Sequence, residues 1–146
     1  MVALNRVFFD TNVLVHAIDP SNLRKREIAN QHLDLHASSG AMVVSTQVLA
    51  ELHVVATRKL RPAMSAADAE EAVQRLTRLS VVGTTPELVL RAIERSRRDE
   101  LSPWDALVVE AALFARCDTL LSEDLQAGRR FGEVIVVNPF AARGRT

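Results

Sequence analysis

Five short apolar runs, most of them closed by small polar residues, constrain this chain more than any other feature. Val7-Phe8-Phe9 stops at Asp10-Thr11-Asn12, Ala41-Met42-Val43-Val44 at Ser45-Thr46, and Thr119-Leu120-Leu121 at Ser122. Val81-Val82 and Val134-Ile135-Val136-Val137 complete the set, the last followed by Asn138. Apolar runs without alternation suit strands buried on both faces, the habit of parallel sheets. Between them the pattern turns helical. Residues 23–38 predict one helix, and Thr46 is the expected N-cap of another, carrying Val48, Leu49, Leu52, Val55 and Ala56 and ending near Arg61-Pro62. Ser65 caps a helix to about Arg78, Pro86 opens one toward Asp99, and Ser102-Pro103-Trp104-Asp105 starts one through about Arg116. This alternation predicts an α/β fold: a mainly parallel sheet of five strands, helices on both faces and right-handed crossovers.

A length of 146 residues reads as one domain, 1–146, with a short polar tail at about 141–146. The apolar stretch near Met1 is too short for a signal sequence, and no apolar run approaches the ~18 residues of a membrane span. A cytoplasmic protein is expected, with no membrane contact. Cys117 is the only cysteine, which excludes an internal disulfide and a cysteine-based zinc site and leaves packing as its expected role. Lys+Arg and Asp+Glu both number 18, so no net positive field points to nucleic acid. Any such partner must be met by local groups, of which Arg58 with Arg61 and Arg97 with Arg98 are candidates, since guanidiniums suit bidentate phosphate contacts. The alternative for each cluster is a solvated helix face.

In open α/β sheets functional groups collect beyond the carboxyl ends of the strands. Asp10, Ser45, Ser122, Asp124 and Asn138 occupy such positions, and Glu51 and Asp105 lie near the starts of helices leaving the same edge. Each acid has a plain structural explanation. Ser102-x-x-Asp105 resembles a capping box, Asp124 can cap a turn, and Asp10 can organise an Asx-turn through Thr11-Asn12. Yet Asp105 has Val108 and Val109, and Glu51 has Val54 and Val55, where an intrahelical cation would stand. Two carboxylates ~4 Å apart repel by about 4 kcal/mol at an effective dielectric of 20. Gathered acids therefore protonate, separate or bind a cation. All-oxygen ligation suits Mg²⁺ or Mn²⁺, whereas His16, His32, His36 and His53 show no zinc-like pairing with the acids.

Taken together, Phe9-Asp10-Thr11-Asn12, Glu51 within Gln47-Val48-Leu49-Ala50-Glu51-Leu52, Asp105 within Pro103-Trp104-Asp105-Ala106-Leu107, and Leu120-Leu121-Ser122-Glu123-Asp124-Leu125 resemble the PIN-domain ribonucleases. The resemblance covers almost the whole chain and is strongest to the VapC-type toxins of type II toxin–antitoxin pairs. It implies a three-layer α/β/α fold and a catalytic, metal-binding quartet of Asp10, Glu51, Asp105 and Asp124, supported by Thr11, Asn12 and Ser122. Asp124 is preferred over Glu123 as the fourth acid, and Ser122 stands where threonine is frequent. Asn138 is an accessory candidate. Further implications are one or two Mg²⁺ or Mn²⁺ ions, endonucleolytic cleavage of single-stranded or looped RNA, a cognate antitoxin and a homodimer. Trp104 beside Asp105 can stack a base, against the commoner role of tryptophan in a core.

Two other functions compete with this reading. A receiver-like phospho-acceptor also gathers acids at strand ends, but it wants an acid pair on the first strand and a lysine near the end, and Lys25 and Lys59 are the only lysines. A non-catalytic PIN-like module binding RNA or protein keeps the fold and makes the acids structural.

Overall fold

The computed structural model describes residues 5–141, and residues 142–146 of the expected polar tail lie outside them. The chain order is β1 (Val7–Phe9), α1 (Thr11–Ile18), α2 (Leu23–Ser38), β2 (Met42–Ser45), α3 (Thr46–Arg58), α4 (Ala66–Leu76) and β3 (Ser80–Val82). Then follow α5 (Pro86–Asp99), α6 (Pro103–Phe114), β4 (Thr119–Leu121), β5 (Arg130–Phe131) and β6 (Val134–Val137). The strands form one sheet in the order β3-β2-β1-β4-β6-β5, parallel except for β5. β1 is fully buried, as its unbroken apolar run requires.

This strand order explains where the helices lie. From β1 the chain steps to β2 and on to β3 in one direction, then returns past β1 to place β4 on its other side. Right-handed crossovers therefore carry α1 to α4 over one face and α5 with α6 over the other. The step reverses between β1 and β4, and the crevice at such a reversal is where α/β sheets bind ligands. A continuous core joins Phe8, Phe9, Val43, Val44, Leu120 and Val136 from the sheet to Val48, Leu52, Val109 and Ala112 from the helices. Across the α5–α6 contact the Arg95 guanidinium pairs with Glu110, and within α5 it pairs with Asp99 at 2.8 Å.

Three expectations change. Thr11–Ile18 is helical, where the polar triplet at its start reads as a turn; Asp10 is itself the N-cap, accepting the Thr11 N–H at 2.8 Å. The cap of α3 is Ser45 rather than Thr46, with the Ser45 hydroxyl accepting the Val48 N–H at 3.2 Å. The sheet has six strands instead of five. The extra one, β5, spans two residues and turns back on β6 through Gly132-Glu133, with Gly132 at φ 59° as a tight hairpin turn needs. Two residues are too few to leave a period in the sequence.

Phe8 is fully enclosed at the sheet centre. Phe8→Ala is expected to cost about 3–5 kcal/mol, measured as a lowered urea midpoint at unchanged slope.

Candidate active site

Register brings the ends of two strands level. Phe9 pairs with Leu121, and the Asp10 N–H extends the ladder by donating to the Leu121 carbonyl at 3.0 Å. Asp10 and Ser122, 112 residues apart, therefore face each other across the reversal point. The Ser122 hydroxyl donates to Asp10 Oδ2 at 2.8 Å, and the Asn12 amide reaches the same oxygen at 3.4 Å. Ser122 Oγ also accepts the N–H groups of Asp124 and Leu125, each at 3.2 Å, which shapes the turn carrying Asp124.

A second link leaves the first turn of α1. The Thr11 hydroxyl donates to Glu51 Oε2 at 2.9 Å, and the Gln47 amide donates to Glu51 Oε1 at 2.9 Å. Glu51 reaches this edge because Ser45, at the end of β2, starts α3 there. Asp105 sits in the first turn of α6, its N–H donating to the Ser102 hydroxyl at 3.0 Å, so the capping reading of Ser102 is correct. Asp105 and Glu51 are half-buried and Asp124 is exposed.

Asp10 and Asp105 each feel the charge of other acids in this group. Asp10 is 6% exposed, and its carboxyl is pushed up from 3.8 to about 6, chiefly by burial. The hydrogen bonds from Ser122 and the Thr11 N–H oppose that rise, and the charges of Asp124 and Asp105 add to it. Asp105 is likewise raised, first by burial and then by Asp124 and Glu51. Glu123 lies apart from this group electrostatically. It is held by the Lys25 ammonium and, at 2.7 Å, by His16 Nε2, and its carboxyl stays below the ordinary glutamate range despite partial burial. Its N–H donates to Asn12 Oδ1 at 3.0 Å, so Asn12 fastens the β4 loop to α1.

A family profile for the PIN domain matches residues 7–131. The chain belongs to the PIN-domain family. Solved PIN-like structures share its fold. VapC20 of Mycobacterium tuberculosis, described as a sarcin–ricin-loop-cleaving toxin, superposes with a TM-score of 0.62 at 23% identity, covering 81% of this chain and 91% of that one. A toxin–antitoxin complex from Klebsiella pneumoniae gives 0.68 at 18% identity over 93% of this chain and 99% of that one. DNA-bound VapBC from Salmonella typhimurium gives 0.64 at 17%, covering 91% and 97%. Among curated proteins, none matches the sequence.

Other expected residues of this PIN domain lie outside the acidic group. Arg58, Arg61, Arg97 and Arg98 are exposed, and among the described residues no hydrogen bond or ion pair joins them to the four acids. Asn138 turns its side chain to its own loop, accepting the Phe140 N–H at 2.9 Å. Trp104 is 66% exposed, which overturns the core alternative: at the second position of α6 it stands outside the buried face that begins at Ala106. Cys117 is buried among apolar groups, and burial pushes its thiol up to about 12, in keeping with a packing role. Sequence reasoning missed Gln47, although its place four residues before Glu51 is the spacing of side chains that meet on a helix. It also missed His16 and Lys25, whose meeting with Glu123 is purely tertiary.

The raised Asp10 carboxyl has a consequence for stability. A buried acid whose folded value lies above its unfolded one adds no penalty below about pH 3.8, and the full penalty above about pH 6. In chelator, Asp10→Asn is therefore expected to be more stable than the parent at pH 7.5, by on the order of 3 kcal/mol, and equal to it near pH 3.5. Urea unfolding at the two pH values measures this, and a gap that does not depend on pH would refute it.

Proposed function

We propose that this PIN domain is a metal-dependent endoribonuclease and the toxin of a toxin–antitoxin pair, cleaving single-stranded or looped RNA. The observation that carries the reading is the buried Asp10 carboxylate, fixed by Ser122 and Thr11 at the reversal of the sheet and pressed upward by two further acids. The same carboxylate caps α1, but a cap alone does not call for the neighbouring charges of Asp124 and Asp105. Burial and like-charge repulsion both disfavour the charged carboxylate, and a divalent cation relieves both.

The donor set fits Mg²⁺ or Mn²⁺. It is all oxygen, as hard cations prefer. Asp10, Glu51, Asp105 and Asp124 would hold one or two ions. Among the described residues no three His, Cys, Asp or Glu side chains already converge on one point. When bound, the ion supplies Lewis-acid neutralisation of phosphoryl charge and acidifies the attacking water.

The protein's own contribution is orientation. Ser122 and Asn12 bond Asp10 Oδ2 and the Thr11 N–H bonds Oδ1, which fixes the carboxylate in one orientation. Thr11 and Gln47 hold Glu51 from both oxygens in the same way. Asn12 keeps the Asp124 turn against α1 through the Glu123 N–H, and Lys25 with His16 withdraws the Glu123 carboxylate from the acidic group. Four acids thus act without a fifth competing. Water attacks the phosphodiester in line, leaving a 5′-phosphate and a 3′-hydroxyl, and no covalent intermediate forms on the protein. Arg58, Arg61, Arg97 and Arg98 offer exposed phosphate contacts along the RNA.

A cognate antitoxin partner, a homodimer and a cytoplasmic setting complete the proposal. The toxin–antitoxin complexes among the similar structures support the first. Among the described residues no helix is long and apolar enough to cross a membrane.

Purified protein is expected to cut RNA with Mg²⁺ or Mn²⁺ and to stop with chelator. Asp10→Asn and Asp105→Asn should abolish cleavage while circular dichroism stays unchanged. Ser122→Ala, which removes the donor to Asp10 and the acceptor of the Asp124 turn but no acid, should reduce cleavage by about 10–100-fold. Gel analysis of a labelled RNA gives all three results; undiminished cleavage by the folded Asp10 variant would refute the proposed site, and no cleavage by the parent protein with either metal would make it a binding module instead. Rates from Asp124→Asn and Glu123→Gln separate the neighbours: the first is expected to lose cleavage and the second to keep it within about threefold.

A further inference from the structure

An open groove of about 560 Å³ lies beside the acids, lined by Glu51, Gln47, Thr46, Thr84, Trp104 and Leu107. Its lining is mainly apolar, but its polar atoms are fixed in place. The Gln47 amide donates both to Glu51 and, at 3.3 Å, to the Trp104 carbonyl, so one side chain ties the groove to the acidic group. The Thr46 and Thr84 hydroxyls lie 2.9 Å apart, and Thr46 Oγ1 also accepts the Thr84 N–H at 3.1 Å. A smaller depression of about 330 Å³ shares Ala50 and Glu51 with the groove's surroundings and ends at Val54, Val55 and Lys59.

We propose that this groove receives one unstacked nucleobase of the RNA, next to the phosphate that is cut, with the base lying on the Trp104 indole. The proposal rests on the ribonuclease reading and gives it a substrate-positioning surface. An indole left two-thirds in water has not been placed there by core packing. An aromatic face beside preset hydroxyl and amide groups matches a planar base with polar edges. Continuity decides between this occupant and an apolar peptide. Glu51 lines the groove and belongs to the acidic group, so a base on Trp104 has its own phosphate within reach of the acids. Lys59, along the second depression, is placed for a neighbouring phosphate. A base within a duplex is stacked on both faces and cannot enter, so the groove selects single strands and loops.

Trp104 is the only tryptophan and the chain has no tyrosine, which makes its fluorescence a report on this groove alone. The full chain, in chelator to prevent cleavage, is titrated with a mixed-sequence single-stranded RNA hexamer. Parallel titrations use an abasic ribose-phosphate hexamer and a blunt RNA duplex. Quenching by the single strand, and not by the other two, is expected. With Mn²⁺ and a cleavable RNA, Trp104→Ala should raise KM by roughly 10–100-fold with kcat little changed, and Trp104→Phe should restore most of the loss. If RNA is cleaved while its addition leaves fluorescence unchanged and Trp104→Ala has parental kinetics, the groove assignment is wrong and the nuclease reading survives. If the hexamer quenches but no RNA is ever cleaved, the groove stands and the nuclease reading falls. Quenching by the co-expressed antitoxin, or by raised protein concentration, with none from RNA would assign the groove to a peptide or a second copy and overturn the proposal.

Discussion

At the point where the strand order reverses, the hydroxyl-to-carboxylate hydrogen bond from Ser122 to Asp10 extends the β1–β4 pairing from backbone to side chains. Its existence follows from register. Phe9 opposite Leu121 leaves the next residue of each strand at the same height, one an acid and the other its donor. A slip of one residue would send Asp10 to the opposite side of the pleat and expose the apolar run before it. The core that enforces the register also enforces the site, so Phe8, Phe9, Leu120 and Leu121 position the acid without touching its chemistry.

From that bond the remaining geometry spreads along helix starts. Asp10 caps α1 and thereby sets Thr11 against Glu51; Ser45 caps α3 and Ser102 caps α6, each one aiming an acid from within the first two turns toward one edge. Helix N-termini carry partial positive charge, which offsets some of the repulsion among carboxylates placed beside them. Local capping chemistry and the collective acidic site are thus one arrangement seen at two scales. The capping role of Ser102 and the grouping of Asp105 with other acids are compatible for this reason.

How much of this could be read in advance depended on whether a signal was local. The strands β1, β2, β4 and β6 are continuous apolar runs, and the helices from α2 to α6 carry caps or prolines at their starts, so all were legible. α1 was concealed because its cap is the same residue that closes the strand before it. β5 was concealed by its length. Strand ends and helix starts mark the positions of the acids, but nothing local separates Glu123 from Asp124. The contacts that bear on that distinction come from Lys25 and His16, about a hundred residues away. Gln47 joining Glu51 to the Trp104 carbonyl likewise needs two helices brought together by the sheet. The exposure of Trp104 runs against the ordinary habit of that residue.

The separation of 112 residues between Asp10 and Ser122 also bears on synthesis. A chain lengthening from its N-terminus completes β1, its helices and β2 long before β4 exists. Until β4 docks, Asp10 has neither its hydroxyl donor nor its neighbour Asp124. Parallel pairing across such a span must meet the entropy of closing a long loop before any contact rewards it. The acidic group therefore cannot be complete until β4 has been synthesised and has paired with β1.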